Sequence, residues 1–74
     1  MKMTFVAIGP HCYGEGTTKT TAVNRCRKAR PSFYSRPESE MPYNLYRVSG
    51  DWEVDGHGTI TASTIQKLEE HRPQ

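Results

Sequence analysis

Apolar residues recur along this chain in three different rhythms. Residues 3–8, Met-Thr-Phe-Val-Ala-Ile, are almost continuously apolar, the pattern of a central strand buried on both faces, and Gly9-Pro10 ends the run. From about residue 18 to 30 the spacing is helical, with Ala22, Val23, Cys26 and Ala29 on one stripe and Asn24, Arg27 and Lys28 opposite. Thr17 is the expected N-cap, and Pro31 ends the helix. From residue 46 the period drops to two. Tyr46 and Val48 inward put Trp52 and Val54 inward on the next strand, across a Ser49-Gly50-Asp51 loop, with Arg47 facing Glu53 on the outer side. Across Gly56-His57-Gly58 the same alternation pairs Val54 with Ile60 and Trp52 with Ala62. Ser63-Thr64-Ile65-Gln66 then has capping-box spacing, and Ile65 with Leu68 predicts a short terminal helix.

The expected fold is therefore α+β, one small domain over residues 1–74. Its order is β-α-β-β-β, with an antiparallel C-terminal meander packed on one helix and a short terminal helix. Residues 31–42, with three prolines and no usable period, are expected to form a mobile loop whose Phe33, Tyr34 and Met41 either tuck back or await a partner.

A chain of 74 residues buries roughly 60% of the surface its unfolded form exposes. The expected core is Phe5, Ala7, Ala22, Val23, Cys26, Ala29, Tyr46, Val48, Trp52, Val54, Ile60, Ile65 and Leu68, too few residues to surround an ordinary cofactor pocket. No cofactor is expected, and an enzyme is disfavoured. The chain has no apolar run long enough to span a bilayer or to serve as a secretory signal, so the expected location is the cytoplasm and no membrane partner is expected. Cys12 falls in the corner before the helix and Cys26 about nine residues into it, some ~13 Å along the axis, so free thiols are expected.

The net charge of +2 hides a split. Residues 1–36 carry seven cationic side chains against Glu15, a net +6, whereas residues 37–74 carry three against seven carboxylates, a net −4. One basic and one acidic surface follow, which suits a charged partner or head-to-tail self-association, as monomer or homodimer.

The residues that bear chemistry give no reaction. Gly9 to Gly16 has the outer spacing of a phosphate-binding loop, but Glu15 and Gly16 stand where Lys and Ser/Thr are needed, so a glycine corner with positive φ is the favoured reading and only weak anion capture by backbone N–H groups of 16–18 remains. His11, Cys12, Cys26 and His57 lack the close spacing that sets two metal ligands at once, and no metal is expected. A Cys12 nucleophile activated by His11 and the helix N-terminus is a minority reading. Asp51, Glu53 and Asp55 alternate, so their carboxylates share one face, as the solvated side of a strand or as a patch for a basic partner. Arg25, Arg27, Lys28, Arg30 and Arg36, with Tyr34 nearby, form a basic cluster that serves either as a solvated helix face or as a contact for an acidic surface or nucleic acid, with Tyr34, Tyr43 or Tyr46 as stacking platforms for a single strand.

With its Gly9-Pro10-His11-Cys12-Tyr13-Gly14-Glu15-Gly16-Thr17 segment, its Ala22 helix, and Tyr46-Arg47-Val48 followed by residues 52–58, the chain resembles small accessory proteins carried by bacteriophages and prophages. That resemblance implies an inhibitor of host defence of the anti-CRISPR type, acting by occlusion on a host protein or ribonucleoprotein complex. Many such inhibitors are acidic DNA mimics, and this chain departs from them in being net basic. The alternative is a small nucleic-acid-binding module using the basic helix. The partner-binding candidates are Arg25, Arg27, Lys28, Arg30, Tyr34, Arg36, Asp51, Glu53 and Asp55.

Overall fold

The computed structural model describes residues 3–29, 31–32 and 41–72. Among these residues five elements follow one another: β1 (Met3–Gly9), β2 (Cys12–Gly16), α1 (Lys19–Lys28), β3 (Tyr43–Val54) and β4 (Ile60–His71). All strand pairs are antiparallel, in one sheet ordered β2-β1-β3-β4. The fold is α+β and β1 is central, but the order is β-β-α-β-β. A strand stands where a corner was expected, and a strand replaces the terminal helix.

The first difference begins at Gly9-Pro10-His11-Cys12. Pro10 holds φ near −65° and His11 sits at φ 59°, the combination of a type II turn, so the chain reverses within two residues and Gly9 pairs with Cys12. Glycines in the next five residues look like loop punctuation, yet Gly14 and Gly16 serve close packing. A Cβ on Gly14 would lie 2.1 Å from the Cys26 backbone nitrogen and 2.5 Å from the Ala22 carbonyl oxygen, and one on Gly16 would lie 2.6 Å from the Thr21 side chain. Bare backbone on β2 lets α1 lie directly on the strand. Positive φ is confined, among the described residues, to His11, Gly50 and Gly58, not the glycines of the expected corner.

Helix α1 begins one residue later than expected, with the Thr18 hydroxyl, not Thr17, accepting the Thr21 N–H at 3.1 Å. Ala22 and Cys26 are fully buried and Val23 partly so, whereas Ala29 is the C-cap and is exposed.

Strands β3 and β4 form a single long hairpin. Ser49-Gly50-Asp51 is a bulge within β3, with Gly50 at φ 76° and the register shifting between Ser49 and Trp52. The expected pairs Trp52–Ala62 and Val54–Ile60 are present. Arg47, however, shares a strand with Glu53 and lies opposite Gln66, whose side-chain oxygen accepts a hydrogen bond from its guanidinium. Residues 63–68 are strand because Tyr46, Arg47, Val48 and Ser49 need ladder partners, which Lys67, Gln66, Ile65 and Thr64 supply. A whole ladder outweighs a local capping pattern.

Two small cores result, one on each face of the sheet. Ala7, Ala22, Cys26, Met41 and Leu45 fill the α1 side, with Phe5, Cys12, Val23, Tyr43 and Leu68 around them. On the other side the hairpin bends at the bulge and folds its distal half back over β1, so that Trp52, Val54, Ile60 and Ala62 cover Val6, Ile8 and Val48. Trp52 meets Tyr13 edge-on at 6.1 Å, and Gly58 at the hairpin tip comes to rest beside Ile8. Helix, sheet and folded-back arm are the three layers. Val6, Ile8, Met41 and Leu45 are core residues missing from the expected set, while Ile65 is 43% exposed. Met41 tucks back as one of the two readings had it; Phe33 and Tyr34 lie outside the described residues. No helix among the described residues is long and apolar enough to cross a membrane.

Candidate functional site

The basic residues of α1 do not form one stripe. Helical geometry divides them between the two flanks that border the strands. On the β2 flank, Arg25 donates to the Glu15 carbonyl oxygen at 3.1 Å, and Lys28 stands one turn further on, exposed. On the β3 flank, Lys19 and Arg27 line an open groove of about 380 Å³ with Val23, Tyr43, Leu45 and Glu69. There the Arg27 guanidinium lies 5.9 Å from the centre of the Tyr43 ring, within cation–π range. The Tyr43 ring is itself stacked on His71 at 5.1 Å with 29° between planes. His71 Nε2 is buried with no hydrogen-bond partner among the described residues. The candidates Arg30, Tyr34 and Arg36 lie outside the described residues.

Lys19 and His71 were absent from the expected site, and Tyr43 entered the expectations only as a stacking platform for a single strand. Tyr43 opens β3, two residues before buried Leu45, so the alternation that identifies Tyr46 and Val48 was already running at residue 43 on the opposite face. His71 could be placed only by knowing that β4 continues to it, since the two residues are cross-strand partners.

Asp51, Glu53 and Asp55 are all exposed, and Trp52 and Val54 between them face the second core. The acidic row therefore points away from the sheet on the face opposite α1. Its members differ in kind. The Asp55 carboxylate accepts backbone N–H bonds from Thr59 at 2.9 Å and His57 at 2.8 Å, which closes the hairpin turn and holds its carboxyl below the ordinary value of 3.8. Asp55 thus has a structural task, and Asp51 and Glu53 carry the surface charge. Near the end of β4, Glu70 pairs with Lys67 at 3.2 Å and Arg72 at 2.9 Å, which lowers its carboxyl below 4.5.

Cys12 opens β2 a full strand away from the Thr18 cap, so the helix N-terminus does not activate it, and burial raises its thiol rather than lowering it. Cys12 faces Cys26, with 3.9 Å between their sulfurs. The expected axial separation of ~13 Å took residues 9–18 as a compact corner. Instead β2 runs out for about 13 Å from Cys12 to Gly16, and α1 returns about 12 Å from its cap to Cys26, so the two cysteines come back to the same level. Both are free thiols. Among the described residues no cluster of three or more His, Cys, Asp or Glu side chains could hold a metal.

Two open clefts of about 580 and 540 Å³ flank the place where the hairpin tip, His57-Gly58, meets the Gly9-Pro10 turn. The smaller is lined by His11, Cys12, Asp55 and His57, but there the Cys12 sulfur faces Cys26 and the Asp55 carboxylate is taken up by the backbone N–H groups of His57 and Thr59. Comparison with known protein families, curated proteins and solved structures finds no match.

Proposed function

We propose that this protein is a non-enzymatic binding module that holds an acidic surface of a partner protein against the Lys19–Arg27–Tyr43 groove and acts by occluding it. The observation that supports this reading is the opposition of charges on one rigid scaffold. Lys19 and Arg27 flank an open groove on the helix side, and Asp51 and Glu53 project from the arm on the far side. Cations on a helix and anions on a strand are positioned without loop ordering, which lowers the entropic cost of docking. Opposed charges also orient an approaching partner and raise its encounter rate. Under this reading the partner is a host complex and the protein an inhibitor carried by a mobile element, as the resemblance of the chain implies.

A nucleic-acid reading stands second, favoured by the Arg27–Tyr43–His71 stack, since a cation beside an aromatic ring is the element on which single-stranded bases stack. One experiment separates the two: affinity capture from a bacterial lysate with and without nuclease, using the wild type, Lys19→Glu with Arg27→Gln, and Asp51→Lys with Glu53→Lys. The proposal expects one stoichiometric protein that survives nuclease, is lost with the groove variant and is kept by the arm variant. Equal capture by wild type and groove variant would overturn it. Capture that vanishes with nuclease and falls steeply with salt would establish the second reading instead.

A further inference from the structure

We infer that Cys12 and Cys26 form an oxidation site, a buried thiol pair that closes to an intramolecular disulfide joining β2 to α1. Their sulfurs stand 3.9 Å apart, and a disulfide needs about 2.05 Å, so an approach of less than 2 Å completes the bond. The elements that carry them are already held in place. Gly14 brings the α1 backbone against β2 two residues from Cys12, and Gly9, the cross-strand partner of Cys12, has no side chain to separate the sulfurs. A Cβ placed on Gly9 would lie 3.1 Å from the Cys26 sulfur, 3.3 Å from the Cys12 sulfur and 3.3 Å from the Met41 methyl. The pair therefore occupies a pit over bare backbone, with Met41 beside it.

The two thiols are unequal in access. Cys26 is fully buried and Cys12 is half-buried at the start of an edge strand, so an oxidant reaches Cys12 first. With a low-molecular-weight disulfide as co-reactant, the Cys12 thiolate attacks one of its sulfurs, forming a mixed disulfide and releasing one small thiol. Cys26, on losing its proton, then attacks the Cys12 sulfur and expels the second small thiol. The protein gives up two hydrogens, and the small disulfide is reduced to two thiols. Burial raises the Cys12 thiol and pushes that of Cys26 up to about 12, so both steps are slow near neutrality, the second more so, and both accelerate with pH. The product closes the loop from residue 12 to 26, which contains β2 and most of α1, and fixes the helix to the sheet edge.

The test uses the full chain with oxidised glutathione at pH 7 and pH 9, followed by non-reducing intact mass spectrometry and peptide mapping. The expected product is a monomer lighter by two hydrogens, with peptides of Cys12 and Cys26 linked, formed faster at pH 9. Its melting temperature should exceed that of the reduced protein by on the order of 10 °C. Cys26→Ser should stop at a lasting glutathione adduct on Cys12, and Cys12→Ser should resist modification unless denatured. A wild-type protein that keeps two free thiols, retains an unresolved glutathione adduct, or links only between molecules would overturn the inference, and these readouts do not depend on either variant folding.

Discussion

Replacing Gly14 by Ala tests the packing on which the rest of the molecule depends. The added methyl would sit 2.1 Å from the Cys26 nitrogen, 2.5 Å from the Ala22 oxygen and 2.6 Å from the Arg25 carbonyl carbon, all of them backbone atoms. No rotamer change relieves such contacts, so α1 must rise from β2 by about 1.3 Å to restore van der Waals distance. A gap of 0.5–1 Å already forfeits a quarter to a half of the dispersion energy at an interface, and Ala22 and Cys26, both fully buried, lie along that interface. Overpacking in ordinary cores costs about 1–3 kcal/mol, and a clash with helix backbone belongs at or above the top of that range. A domain of this length is stable by roughly 4–11 kcal/mol, so a loss of about 3 kcal/mol removes a quarter or more of the total and lowers the melting temperature by roughly 12–24 °C. Urea unfolding followed by the fluorescence of Trp52 measures it. Gly56→Ala is the matched control, since nothing lies within 4 Å of a Cβ there, and should stay within about 0.5 kcal/mol of wild type. If Gly14→Ala matched Gly56→Ala, with an unchanged denaturant slope, α1 would not rest on β2 and the account of the first core would be wrong.

Three further outcomes are expected. Gly50→Ala should cost about 1–2 kcal/mol in urea unfolding, because φ 76° is strained for an L-residue and the new methyl meets the Ser63 hydroxyl at 3.0 Å; a neutral result would remove the bulge. Trp52→Ala should cost roughly 2–3 kcal/mol by circular dichroism, below the range for a fully buried indole, because Trp52 is half-buried over Val6, Ile8 and Val48; a loss below about 0.5 kcal/mol would mean the arm does not cover them. Asp55→Asn should melt below wild type at pH 7, and the gap should close on acidification: a carboxyl whose value is lowered on folding contributes stability above 3.8 that is lost as pH falls through its lower folded value. A gap that persists undiminished at pH 2 would refute the turn's dependence on that carboxylate.

What was legible in the sequence were features carried by local alternation and by helical spacing. The pairing of Trp52 with Ala62 and of Val54 with Ile60 follows from period two across a glycine turn, and the inner positions Ala22 and Cys26 follow from period 3.6. What escaped was decided by contacts distant in sequence. Gly14 has the same composition signal whether it opens a turn or admits a helix, and only the position of Cys26 twelve residues later distinguishes the two. Residues 63–68 carry a helix-start pattern, and only the unsatisfied edge of β3 makes them strand. Once residues 12–16 are a strand, three other features change together: the cysteines come into contact, the expected glycine corner becomes a hairpin, and the basic residues of α1 divide between two flanks. The site was thus legible as charge but not as shape. Asp51 and Glu53 could be placed on one face because they alternate with Trp52 and Val54, whereas the groove of Lys19, Arg27 and Tyr43 exists because α1 lies over β2 and β1 and leaves the start of β3 beside its flank. A surface assembled from a helix flank and the first residue of a strand has no periodic signature, so its recognition had to wait for the sheet order.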